Sequence, residues 1–226
     1  MSAPQQFREK ILERVRSATK PVALPPSELA AAYSFLPRGY VRHGSMTVIA
    51  CQERFIERLR EYDAEVVETS EEELPASIAR QLAASGKHTF VAPTGLPAAW
   101  LAEGFEWMLD GALSSAEIEK AEGVLTGAFC GVADSGTIAL HHSATEGRRV
   151  ITLLPDWHLC VLYASQVVET LPEYFDRCAQ APGLATYISG PSATADIEMT
   201  RIKGVHGPRY LHVILVDDLG ARTKLS

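Results

Sequence analysis

No stretch of this 226-residue chain approaches the roughly 20 consecutive apolar residues that a membrane-spanning helix requires. Its longest apolar runs, such as Val161-Leu162-Tyr163-Ala164 and Val213-Ile214-Leu215-Val216, are strand-length. An export signal is missing as well: Arg8, Glu9, Lys10 and Glu13 stand where its apolar segment would lie, so a cytoplasmic location is expected. Basic charge is in deficit, with 21 Lys and Arg against 28 Asp and Glu and a net charge of −7. That sign excludes a chain whose main task is coating phosphate backbones, and no nucleic-acid partner is expected. Short-spaced cysteine pairs are lacking too. Cys51, Cys130, Cys160 and Cys178 are scattered, so neither a zinc ribbon nor iron–sulfur ligation is written locally and no metal site is predicted. Cys130 and Cys160 fall in apolar, strand-like segments without the basic neighbours that would stabilise a thiolate. No internal repeat or low-complexity segment occurs. What remains is an ordinary globular composition, 46% hydrophobic and 22% charged, of a size that suits one domain with a small N-terminal appendage.

The order of elements follows from periodicity. Phe7, Ile11, Leu12 and Val15 recur at helical spacing, and that first helix must end before Pro21. Its five bases within the first 20 residues, against two acids, read as a solvated face. A proline-rich link over 21–26 and an irregular stretch through Pro37-Arg38-Gly39 lead into the domain, placing the boundary at residues 1–40 and 41–226. Val48, Cys51, Phe55, Leu59 and Tyr62 mark a helix, and 64–68 a strand. Ser70 with Glu73 has the form of a capping box, which predicts a helix starting there with Leu74, Ile78 and Leu82 as its apolar stripe. Ser85-Gly86 closes it, residues 88–92 form a strand, and Ser114 with Glu117 caps the next helix. Strands are then expected at 129–133, 137–141, 150–154 and 159–163, a helix at 171–179, a strand at 186–189, a turn into a short helix, and a last strand at 211–216. The fold class predicted is α/β, a mostly parallel sheet with helices on both faces and some antiparallel strands in the second half.

Three segments have residues suited to chemistry. Ser189-Gly190-Pro191-Ser192-Ala193-Thr194-Ala195-Asp196 reads as a strand end running through a Gly-Pro turn into a helix start, where free backbone N–H groups favour an anion. Capping by Ser192 or Thr194, with Asp196 in the first helical turn, accounts for the same residues, and both readings stay open. Next, Lys203-Gly204-Val205-His206-Gly207-Pro208-Arg209 is a tight loop on which Lys203, His206 and Arg209 could hold an acidic ligand. Third, Asp134-Ser135-Gly136-Thr137 is a turn between two apolar strands; it presents a carboxylate and hydroxyls but has no histidine at a triad spacing. His141 and His142, adjacent on a strand, would point to opposite faces and cannot chelate one ion. Glu146-Gly147-Arg148-Arg149 reads as a polar turn.

Five blocks together, Leu125-Thr126-Gly127-Ala128, Ala133 to Leu140, Glu146 to Arg149 with Leu153-Leu154-Pro155 and His158, Ser189 to Glu198, and Gly204 to Asp217, resemble the lactate utilization protein C family. The match is close from about residue 120 onward. The resemblance implies a LUD domain of the NagB/RpiA/CoA-transferase-like fold. It also implies a place in a bacterial system oxidising L-lactate to pyruvate, in which iron–sulfur sister proteins carry the clusters and this component, with no intrinsic cofactor, is an accessory or ligand-binding subunit. The family commonly has Glu-Thr-Gly-Thr where this chain has Asp134-Ser135-Gly136-Thr137. Asp134 and Asp196 are the candidate catalytic groups. Ser135, Gly136, Thr137, Gly190, Pro191, Ser192, Thr194, Lys203, His206, Gly207 and Arg209 are candidate ligands for a small anion. The alternative function is a stand-alone enzyme or transferase acting on a phosphorylated or CoA-linked metabolite.

Overall fold

A computed structural model describes residues 3–18, 25–179, 183–194, 202–203 and 207–220. The chain divides into two compact units, Met1–Tyr40 and Val41–Ser226. In the first, α1 (Ala3–Ala18) exposes Phe7, Ile11 and Val15, and a second helix, α2 (Pro26–Ser34), stands where an irregular stretch is expected. The correction has a local cause. Pro26 at the first helical position has a suitable φ and no N–H to lose, Glu28 lies in the first turn, and Leu29 to Ala32 are strong helix formers. The Arg38 guanidinium then folds back over the Tyr33 ring, 4.4 Å from its centroid.

In the second unit α3 (Val48–Glu61) starts at Thr47, whose hydroxyl accepts from the Ala50 N–H at 3.2 Å. It is followed by β1 (Glu65–Ser70), α4 (Leu74–Ala84), β2 (Thr89–Pro93), β3 (Glu106–Asp110), α5 (Ser115–Ile118), β4 (Gly123–Thr126), β5 (Cys130–Val132) and β6 (Thr137–Leu140). Then come β7 (Trp157–Tyr163), β8 (Val167–Val168), α6 (Leu171–Cys178), β9 (Thr186–Ile188), β10 (Ala193–Thr194), β11 (Ile202–Lys203) and β12 (Tyr210–Asp217). Six strands form one parallel sheet in the order β1-β12-β7-β4-β2-β3. A second, mixed sheet has the order β8-β5-β6-β9. The α/β class and the parallel sheet with antiparallel strands later in the chain are as expected.

The central strands are apolar on both faces, as a parallel sheet covered twice requires. Leu159, Val161, Ile214 and Val216 meet Leu74, Ile78 and Leu82 of α4 on one side. On the other, Cys160, Leu162, Val213 and Leu215 meet Phe55, Ile56 and Leu59 of α3 together with Ile138 and Leu140 of β6. Each such side chain contributes about 1.5–3 kcal/mol on burial. The small sheet therefore packs against the large one, and Tyr174 of α6 covers its outer face over Cys130, Val132 and Ala139. Gly131 makes that packing possible, because a Cβ there would lie 2.7 Å from the Phe55 ring.

Local sequence signals mislead at four further points. Ser70 ends β1 and accepts from Glu73 at 3.3 Å, but α4 begins only at Leu74, with Pro75 in its first turn. Strand β3 was not expected; it closes the sheet edge by pairing Glu106 to Asp110 with β2. Val150, Ile151 and Thr152, β-branched and expected as strand, join Arg149 in a 3₁₀ turn that buries Ile151 beside Val91, Ile118 and Val124. Tertiary packing overrides β-propensity there. Finally, Ala193 and Thr194, expected to open a helix, pair antiparallel with Ile202 and Lys203.

Candidate functional site

The Ser189 to Ser192 turn and the 207–208 loop, about 15 residues apart in sequence, meet in space. The Ser192 N–H donates to the Pro208 carbonyl at 2.8 Å, and a Cβ on Gly207 would stand 3.5 Å from the Ser192 Cβ. Gly190 is required: its φ is +81°, and a Cβ would lie 2.5 Å from that of Tyr62 at the end of α3. With Arg149, Thr152, His158, Thr186 and Leu211, these loops line a cavity of about 270 Å³. It sits beside the first residues of β7 and β12, since His158 and Leu211 are each second in their strands. The expected position was the carboxyl end of a parallel strand. The correction follows from topology, because β9 belongs to the mixed sheet and runs antiparallel to β6.

Arg149 was read as part of a polar turn, yet its placement in the cavity wall is specific. His142 Nδ1 lies 2.9 Å from the Gly147 carbonyl, which can only accept, so that nitrogen carries the proton in the neutral ring. Nε2 is then the acceptor and takes the Thr186 hydroxyl at 3.0 Å. The same Thr186 oxygen accepts from Arg149 Nη1 at 2.7 Å. This relay engages one edge of the guanidinium, and the cavity is bounded by the side chain that bears the remainder. His142 adopts φ +58°, so the chain turns sharply after β6 to begin the relay.

His158, just before the strand expected at 159–163, is drawn into it as the second residue of β7. It is fully buried, its Nε2 is 2.8 Å from Thr126 Oγ1, and burial pushes its pKa down to about 4. At neutral pH the cavity thus has one guanidinium and one uncharged imidazole among the described residues of its wall. The family resemblance places Arg149 and His158 in one block, but their meeting in one wall follows from the fold, since they sit in a 3₁₀ turn and a strand, with Thr186 far downstream.

The Asp134 turn lies beside this cavity without lining it. Ser135 and Thr137 hydroxyls are 2.8 Å apart, and Thr137 is 2.8 Å from the Ser189 hydroxyl, so the hairpin joins the Ser189 turn through three hydroxyls. Gly136 turns the hairpin at φ +62° against Arg58. Asp134 itself is exposed; its N–H donates to the Glu169 carbonyl at 3.0 Å. Arg209 forms a two-point ion pair with Asp156, Nε to Oδ1 at 2.5 Å and Nη2 to Oδ2 at 2.9 Å. Thr194 and Lys203 are placed by their backbones in the β10–β11 pair, and Asp196 and His206 lie outside the described residues. The structure therefore brings Gly190, Pro191, Ser192 and Gly207 into the cavity wall, joins Ser135 and Thr137 to it through the Ser189 hydroxyl, leaves Gly136 against Arg58, and adds Arg149, Thr186 and His158.

Over the opposite ends of the strands, a loop at 141–149 is pinned down. Gly95 and Gly127 donate to the carbonyls of Ala144 and Thr145 at 3.1 and 2.9 Å. Buried Glu146 accepts from the His141 N–H and from Ser143 Oγ. Arg148 pairs with the buried Asp110 carboxylate and donates to the Leu113 carbonyl at 2.7 Å. These contacts hold the base of the segment on which Arg149 stands. Among the described residues no helix is long and apolar enough to cross a membrane.

Comparison with known proteins gives a consistent picture. Residues 52–216 match the LUD domain family. The lactate utilization protein C of Deinococcus radiodurans is 37% identical over 209 residues, covering 91% of this chain and 92% of that protein. The lactate utilization protein C of Bacillus subtilis is 35% identical over 130 residues, 53% of this chain and 54% of its own length. A crystal structure of a DUF162 family protein from Deinococcus radiodurans superimposes with a TM-score of 0.67 at 35% identity, covering 76% of this chain and 99% of that one.

Proposed function

This chain belongs to the LUD domain family and, within it, to the lactate utilization protein C family, and on that premise we propose that it is an accessory, ligand-binding component of a bacterial L-lactate oxidation system. Its role is to hold a small anion in the cavity between the Ser189 turn, the 207–208 loop and Arg149, while iron–sulfur partner proteins in the cytoplasm move the electrons. The observation that carries this reading is the convergence of two glycine-proline loops around an anchored guanidinium, in a chain that aligns with a lactate utilization protein C over 91% of its length. The thiols support a role without a cluster of its own. Cys51 on α3 and Cys160 on β7 pack in the core between them, Cys130 lies beneath α6 and Cys178 ends that helix, and burial pushes the Cys130 and Cys160 thiols up to about 12.

Deletion of the gene in a host with no second lactate dehydrogenase tests the role. Growth on L-lactate should fail and growth on glucose should not, and co-purification of a tagged chain should bring down the cluster-bearing partners. Unimpaired growth on L-lactate would overturn the proposal.

A further inference from the structure

We propose that α1 is a peripheral membrane anchor: it lies along an anionic bilayer surface, with the Phe7, Ile11 and Val15 stripe in the acyl boundary and the flanking bases on lipid phosphates. The inference concerns the first compact unit alone, and the cavity and its role stand or fall without it.

Three observations carry it. The first is a helix without a core. Among the described side chains of α1 none is buried: Leu12 is half-buried, and Phe7, Ile11 and Val15 are 72%, 52% and 51% exposed. Helix α2 buries no residue either. A 16-residue helix is marginal in water on its own, and an amphipathic one becomes stable once its apolar face leaves water.

The second is the sorting of charge around the stripe. At 3.6 residues per turn, Phe7, Ile11 and Val15 span an arc of about 80°. Arg8 and Arg14 stand about 60° from its centre, one on each side, and Lys10 about 100°, whereas Glu9 and Glu13 stand about 160° away. Bases at both borders lay their stems along the apolar boundary and reach phosphates with their heads, and the acids point away from the bilayer. A solvated face does not sort its charges by sign.

Third, the same unit exposes Tyr33, Phe35, Leu36 and Tyr40, with the Arg38 guanidinium 4.4 Å from the Tyr33 ring centroid. Tyrosine rings settle at headgroup level. With six bases against three acids, residues 1–40 carry +3 and leave −10 on 41–226, so the attraction to anionic lipid belongs to this unit.

A second copy of the chain fits the stripe less well. About 24 Å long and about 10 Å wide, it offers roughly 240 Å², below the roughly 800 Å² per partner of a stable interface. The groove along α3 would present Glu53, Glu57, Glu61 and Glu68 to the bases, but Ile56 is the single apolar residue among its described lining, so the stripe would stay in water.

Co-sedimentation of the full chain with vesicles tests this, using phosphatidylcholine alone and an equal mixture with phosphatidylglycerol. Partition should be roughly 10-fold or more stronger on the anionic vesicles and should fall as salt is added. Phe7→Ser with Ile11→Ser should weaken it roughly 10- to 100-fold, and Arg8→Gln with Arg14→Gln roughly 10- to 30-fold. Glu9→Gln with Glu13→Gln should not weaken it. All three tryptophans lie in the second unit, and the unfolding midpoint they report should not move in any of these variants. Absence of binding, equal binding to neutral and anionic vesicles, or wild-type binding in either the apolar or the arginine pair overturns the proposal. So does a dimer in sedimentation velocity that Phe7→Ser with Ile11→Ser dissolves, which would give the stripe to a second copy.

Discussion

Acidification should unfold this protein in part through one residue, His158. Its ring is fully buried against Thr126 and has a pKa of about 4, against about 6.5 in an unfolded chain. The unfolded state therefore takes up the proton first, and falling pH favours unfolding. The contribution is fully present above about pH 6.5 and is lost as pH falls toward 4. Integrating the two titrations gives a loss of about 2 kcal/mol at pH 5 and about 3 kcal/mol at pH 4. For a chain of this size, about 2 kcal/mol corresponds to a fall of roughly 4–8 °C in melting temperature. His212, also held below its usual pKa by burial, acts in the same direction, so the test is a difference. Urea unfolding, followed by tryptophan fluorescence at pH 7.5 and 5, should show His158→Gln losing about 2 kcal/mol less than the wild type over that interval. Equal losses in the two proteins would refute the reasoning.

Gly190→Ala should cost about 3 kcal/mol, since the backbone there is left-handed and the new methyl meets Tyr62; urea unfolding measures it, and ligand affinity should fall in parallel. Arg148→Ala should lower the melting temperature by several degrees by stranding the buried Asp110 carboxylate, and adding Asp110→Asn should restore part of the loss. Under native conditions at about pH 8, iodoacetamide should label Cys178 first by mass spectrometry, because Cys51, Cys130 and Cys160 are buried with pKa values pushed up to about 11, 12 and 12.

What could be read from residues alone divides along physical lines. Strands β7 and β12 are apolar on both faces and α3 has a clean helical stripe, so their existence follows from local pattern. The 149–152 segment shows the limit: Val150, Ile151 and Thr152 favour a strand, and only the Val91–Ile118–Val124 cluster that accepts Ile151 makes a 3₁₀ turn preferable. Likewise α2 hides behind three prolines, and β3 behind a mixture of Glu, Trp and Met with no clear alternation.

The site was legible where backbone geometry demands particular residues. Gly190, Pro191, Gly207 and Pro208 announce shaped loops, and Gly136 a tight hairpin, whatever the partners. Arg149 and His158 fall in one block of the family resemblance, but no backbone requirement marks either as a site residue. An arginine beside another arginine in a turn and a histidine within a strand become a pair only when the 149–152 turn, the start of β7 and Thr186 of β9 line one cavity, and the His142 relay depends on a left-handed residue just after β6.

The account stands most directly on the growth of a strain whose only copy of this gene encodes Arg149→Met, with expression verified, on L-lactate as sole carbon source. Growth should fail on L-lactate and proceed normally on glucose. Growth on L-lactate at the wild-type rate would contradict both the cavity and the role assigned to it.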